Sequence, residues 1–159
     1  MSITHVMRLN ATPDEVAELL TSERYNVTIQ EEREDVVKCS YRPGSDTESE
    51  LRYEVHQTSY KRTKTGGMDK SGTTDGKTVY RFDKASRTLH WEFVGEEKKV
   101  NVSGVTRIFP DGSGARLERQ VDIVVKIPIV GKGIQKLIEA EFKKGYGKLE
   151  GQINRLLKG

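Results

Sequence analysis

One stretch limits the fold more than any other: VKIPIVGKGIQKLIEAEFKKGYGKLEGQINRLL, running from Val125 to Leu157. At about 100° per residue, Ile134, Ile138, Phe142, Tyr146, Leu149, Ile153, Leu156 and Leu157 fall on one side, while Lys136, Lys143, Lys144, Lys148, Arg155 and Lys158 project away from it. A helix with so long an apolar stripe needs an equally long surface to cover it. Gly145 lies inside the stripe, between Phe142 and Leu149, whereas Gly147 and Gly151 point outward. Each glycine costs about 0.8–1 kcal/mol against alanine in a helix interior. Burial of the stripe absorbs that cost. Gly145 leaves room on the buried face, either for close approach of a strand or for a void.

The rest of the chain supplies the covering surface. Ile3 to Leu9 alternate between two faces, as a half-buried strand does. The following NATPDEVAELL carries helix-start signals: Thr12 as N-cap, Pro13 at the first helical position and Glu15 completing a capping box. From Val27 to Val125 the texture is β. Strands are expected at Val27–Gln30, Asp35–Tyr41, Glu50–Thr58, Thr78–Phe82, Thr88–Val94, Val100–Phe109 and Ala115–Val125, with turns at RPGSD, DKAS, GEEKK and PDGSG. Short connections imply an antiparallel meander. The segment Lys61–Lys77 has four glycines, five Lys/Arg and almost nothing apolar, which predicts a mobile loop, as a flap over a site or a loose hairpin tip.

The order is therefore strand, short helix, antiparallel strands and long terminal helix. With NATPDEVAELL after the first strand and VDIVVKIPIVGKGIQKLIEAEFKKGYGKLEGQI at the end, the chain resembles the START-like, helix-grip (SRPBCC) superfamily, which includes polyketide cyclases and the birch-pollen allergen. It is most similar to a bacterial branch known only as a domain of unknown function. The resemblance implies an α+β helix-grip fold: a curved antiparallel sheet wrapped around the C-terminal helix, as one domain over residues 1–159. It also implies a cavity between sheet and helix of the kind that holds lipids, sterols or polyketides. The superfamily has no shared catalytic motif, so it implies no catalytic residue.

Composition narrows the function classes. A hydrophobic fraction of 34% and a charged fraction of 32% describe a water-soluble chain. No apolar run approaches the ~20 residues needed to span a bilayer. The N-terminus shows no basic segment followed by an apolar one, so a cytoplasmic location is expected. Cys39 is the only cysteine, which excludes an internal disulfide and a multi-cysteine metal site. His5, His56 and His90 have no ligand spacing, and neither a metal nor any other cofactor is expected. The overall charge of +3 hides an excess of +5 between Lys126 and Gly159. That basic helix face suits an acidic partner or an anionic membrane surface. Without interleaved exposed aromatics it does not suit nucleic acid. Gly72 to Thr78, GTTDGKT, has three residues between its glycines where a P-loop needs four.

Strand alternation places His5, Tyr41, Tyr53, Gln57, Tyr80, Trp91 and Arg119 on the sheet face towards the helix, opposite Phe142 and Gly145. These nine are the candidate ligand-binding residues. Most would serve an apolar pocket or an ordinary core equally well. Arg119 is more telling, because a guanidinium cannot shed its charge and an inward one needs an anion in protein or ligand. The expected function is a non-enzymatic carrier or sensor of a hydrophobic small molecule or lipid, with Arg119 and His5 orienting a polar head. The alternatives are a cyclase- or hydrolase-like enzyme using His5, Tyr53 or Tyr41, and an interaction module docking through its basic helix. The enzyme requires a carboxylate within hydrogen-bond reach of the imidazole.

Overall fold

The computed structural model describes residues 2–63, 67–96, 99–126 and 131–159. Its elements are β1 (Ser2–Leu9), α1 (Pro13–Leu20), α2 (Glu23–Glu31), β2 (Val36–Asp46), β3 (Glu50–Arg62), β4 (Met68–Asp83), β5 (Thr88–Gly95), β6 (Val100–Asp111), β7 (Gly114–Val125) and α3 (Gly131–Lys158). The described strands form one antiparallel sheet in the order β1-β7-β6-β5-β4-β3-β2. It curves around α3, while α1 and α2 bridge its two edge strands and close one end. This is the helix-grip arrangement implied by the sequence.

Local chemistry fixes the boundaries. The capping box at Thr12 and Glu15 forms in full, with Pro13 opening α1. The β6–β7 hairpin turns on Gly112 and Ser113 between the paired Asp111 and Gly114. Gly112 takes φ 58 there, as a tight primed turn requires.

Three expectations are corrected. Val27–Gln30 is not a strand but part of α2, which starts at Ser22, whose hydroxyl accepts the Tyr25 amide. Its β-branched Val27, Thr28 and Ile29 look like a strand in isolation, but the cap and the packing of Tyr25 and Ile29 inside the sheet win. RPGSD is not a turn: Arg42 to Asp46 continue β2, where Pro43 is tolerated because β2 is an edge. A register shift between Pro43 and Asp46 absorbs Gly44, whose added Cβ would sit 2.6 Å from the Arg52 carbonyl oxygen. Nor is Lys61–Lys77 mostly loop. β3 runs on to Arg62 and β4 begins at Met68, with a register shift after Tyr60; residues 64–66 lie outside the described residues.

The core falls into two apolar clusters. The larger joins Met7, Leu9, Val16, Leu20, Tyr53, Val55, Phe82, Leu117, Ile153 and Leu156 at the end closed by α1 and α2. The smaller groups Ile3, Val121 and Ile123 with Trp91, Val102, Phe142 and Tyr146 under the first half of α3. α3 is thus deeply buried through Gln152, Ile153 and Leu156, but only partly covered from Ile134 to Leu149.

Candidate functional site

Between the two clusters lies a cavity of about 740 Å³, bounded by the inner face of the sheet, α2 and α3. That volume is within the usual range for small-molecule sites, about 300–1,000 Å³. Leu89, Leu117, Ile153 and Leu20 wall it on the side of the larger cluster; Trp91, Phe93, Val102, Phe142 and Tyr146 wall it on the other. Exposed Arg33, Glu34, Arg62, Lys144 and Lys148 form its rim.

Six of the nine candidates border this space: Gln57, Tyr80, Trp91, Arg119, Phe142 and Gly145. Three do not. Tyr53 is almost wholly buried, sandwiched in a Tyr41–Tyr53–Tyr80 stack with ring centroids 5.2 and 4.7 Å apart. Tyr41 closes that stack from behind, and its hydroxyl donates to the Thr21 carbonyl at 3.1 Å. His5 lies behind Tyr146, the two rings parallel with centroids 4.0 Å apart. The cavity also meets Tyr25, Asn26 and Gln30, three residues of α2 absent from the sequence-based candidates. The signal for them was Ser22 as an N-cap with Tyr25 and Ile29 at helical spacing. It was masked because α2 turns polar side chains inward, which blurs an apolar stripe.

Gly145 sits as the stripe requires. A Cβ added there meets nothing within 4 Å, on the cavity side of α3. Gly147 and Gly151 are exposed and equally free of contact. On the opposite wall glycines do a different job. The Trp91 indole lies against Gly104, its direct cross-strand partner, where an added Cβ would come within 2.5 Å of the ring. The Phe93 ring lies against Gly76 in the same way, at 2.7 Å.

Arg119, half-buried, borders the cavity from the inner face of β7. Among the described residues it makes no ion pair and no side-chain hydrogen bond, unlike Arg33 and Arg62 at the rim. Its field reaches the rings around it. Burial pushes the Tyr25, Tyr80 and Tyr146 phenols up, and Arg119 partly offsets this in each. The phenols are therefore neutral hydrogen-bond donors at neutral pH, arranged about a fixed cation. Burial also lowers the His5 pKa, Arg119 lowers it further, and Glu150 opposes both. No carboxylate among the described residues lies within ion-pair distance of His5, and its Nδ1 is buried without a partner, as is the Tyr146 hydroxyl. The acid–imidazole pair required by the enzyme alternative is not formed.

The rim is tied down by charge. Asp35 bridges Arg33 (2.9 Å) and Arg62 (3.2 Å). Burial alone would raise its pKa, but these two guanidinium groups hold it below the ordinary value. Glu32, at the end of α2, accepts from Gln152 Nε2 at 2.6 Å and from Arg155, and Lys148 donates to its backbone carbonyl at 3.2 Å. Residues 148, 152 and 155 share one face of α3, so this grip fastens α2 to the second half of that helix. His56 is on the outer face, beside Glu54 at 2.8 Å, and no cluster of potential metal ligands occurs among the described residues.

Comparison with solved structures places the architecture. TTHA0849 from Thermus thermophilus is 13% identical and aligns over 99% of this chain and 97% of its own, with a TM-score of 0.66. The Zhui aromatase/cyclase from Streptomyces sp. R1128 gives 13% identity, 99% and 93% coverage and a TM-score of 0.67. A START superfamily protein from Mycobacterium smegmatis gives 13% identity, 98% coverage of both chains and a TM-score of 0.60. At such identities the likeness is one of fold, and the fold is START-like. No curated protein matches the chain in sequence. A family described as a protein of unknown function, DUF2505, matches residues 4–157, and the chain belongs to that family.

Proposed function

We propose that the protein binds a small hydrophobic molecule with an anionic head, as a carrier or sensor in the cytoplasm. The observation that supports this best is Arg119: a permanent cation bordering an aromatic cavity, with no anion from the described chain to neutralise it. A half-buried guanidinium with no fixed counter-ion is free to make a charge-assisted, bidentate contact with a ligand carboxylate or phosphate. The Tyr25 and Tyr80 hydroxyls and Gln57 complete the polar end; Trp91, Phe142 and Gly145 contact the apolar body. His5 acts from behind Tyr146, and Tyr41 and Tyr53 stiffen the wall through Tyr80. The fold shared with a START superfamily protein and an aromatase/cyclase fits an interior built to hold a ligand. Exposed Leu137 and the lysines of α3 suit brief contact with an anionic membrane during delivery.

The test is anilinonaphthalene sulfonate binding to the wild type and to Arg119→Gln. Loss of a charge-assisted contact worth about 1.5–3 kcal/mol weakens binding tenfold or more. A neutral hydrophobic dye should bind both proteins alike. Equal affinity of the sulfonate for both would remove Arg119 from the site.

A further inference from the structure

Three glycines of the sheet shape the cavity in a way that narrows its ligand. Gly104 and Gly76 face inward, beneath the side chains of Trp91 and Phe93, and Gly95 borders the other edge of the Phe93 ring, where a Cβ would fall 2.8 Å away. A residue with a Cβ at position 104 would push the indole off the sheet and into the cavity. With glycine there, the indole leans across onto β6 and stays close to the sheet backbone while bordering the cavity. The sheet thereby gives up three side chains so that two aromatic rings lie close to its backbone and form an aromatic floor to the cavity.

The acid-binding group stands next to that floor. Arg119 pairs with Thr106 in β6, and Gly104, under the indole, is the next inward position along the same strand. Diagonal neighbours on one sheet face are about 7–8 Å apart, a gap that the long arginine side chain spans, so its guanidinium reaches an acid carried at the edge of a ring system held on the indole. Opposite, Gly145 leaves the roof open between Phe142 and Leu149. A flexible acyl chain has no use for an aromatic floor in particular, because it adapts to any apolar wall.

We infer that the cavity selects flat aromatic acids, with the ring system stacked on Trp91 over Gly104 and the acid on Arg119. Gly104 is then a specificity-determining residue. This rests on the anionic-hydrophobe function proposed above and sharpens it to a ligand class.

Calorimetric titration of the full chain with naphthoate, and with a saturated fatty acid of equal carbon number, tests it. Naphthoate is expected to bind about tenfold tighter, the gain that ring stacking adds beyond burial. It should also quench Trp91, the sole tryptophan, as the site fills. Trp91→Leu, which leaves Gly104 untouched, should erase the preference and retain fatty-acid binding. Gly104→Ala, where it folds, should do the same by lifting the indole. Equal affinity for the two acids, or a preference for the fatty acid, overturns the ring selectivity and leaves the anionic-hydrophobe function standing. Binding of neither overturns both.

Discussion

Arg119 and His5 face each other across β1 and β7 as register partners, and their fates are linked. Burial, with Arg119 behind it, holds the imidazole pKa below its ordinary 6.5 despite Glu150. The unfolded chain therefore takes up this proton first as pH falls. The stabilisation contributed by neutral His5 is complete above about pH 6.5 and is lost as pH drops from there towards the folded pKa. Urea unfolding of the wild type should show a falling stability over that window. His5→Phe, which keeps a ring against Tyr146, should show a shallower fall. His90 is lowered in the same direction, chiefly by burial, and titrates in both proteins, so the difference belongs to His5. Identical slopes would mean that His5 is not held neutral by its surroundings.

At the scale of elements, α3 is one helix with two tasks. Its second half is core and is gripped by α2 through Glu32, while its first half roofs the cavity. None of Gly145, Gly147 and Gly151 has positive φ, so alanine fits each backbone conformation. Gly147→Ala should stabilise by about 0.8–1 kcal/mol in thermal unfolding without touching ligand affinity. Gly145→Leu should retain the fold yet weaken ligand binding, because its side chain enters the cavity. An unchanged affinity there would show that the ligand does not reach α3. The placement of Gly145 was legible in the sequence, since a glycine inside an apolar stripe implies either close approach of a strand or a void, and here it borders the cavity. The inward Arg119 was only half legible: alternation along β7 pointed it towards the helix, but a one-residue slip or bulge would have turned it to water, and only the register with His5 and Thr106 decides. What was not legible follows from tertiary context. α2 reads as a strand because its inward residues include Asn26 and Gln30, so polarity hides the helical period. Pro43 and Gly44 read as a turn because nothing local reveals that β2 is an edge. The glycine-rich segment reads as a loop because Gly76 looks like a breaker until Phe93 is seen lying against it. Tyr53 shares its inward face with the cavity residues, and only the three-ring stack shows that it is packed solid.

The whole molecule divides its interior instead of filling it. Two apolar clusters supply stability at either side, and the cavity between them is where polar groups meet the interior: Arg119, the Tyr25, Tyr80 and Tyr146 phenols, and Gln57. Buried polar groups that serve only the fold are normally paired within the chain. Buried Asp35 obeys that rule at the rim, whereas half-buried Arg119 faces the cavity with no ion pair among the described residues. Among the described residues no helix is long and apolar enough to cross a membrane, and the basic side chains of α3 are exposed, with Lys144 and Lys148 at the cavity rim. The centre and the surface thus have separate chemistry, the first suited to an anion with an apolar body and the second to water or an anionic surface. Native mass spectrometry of freshly purified protein, with solvent extraction of whatever travels with it, tests the central claim most directly. The expected result is a bound small molecule with an acidic group and an apolar body, absent from Arg119→Gln purified in parallel. A mass equal to the bare chain, unchanged after incubation with a panel of aromatic and aliphatic acids, would contradict it.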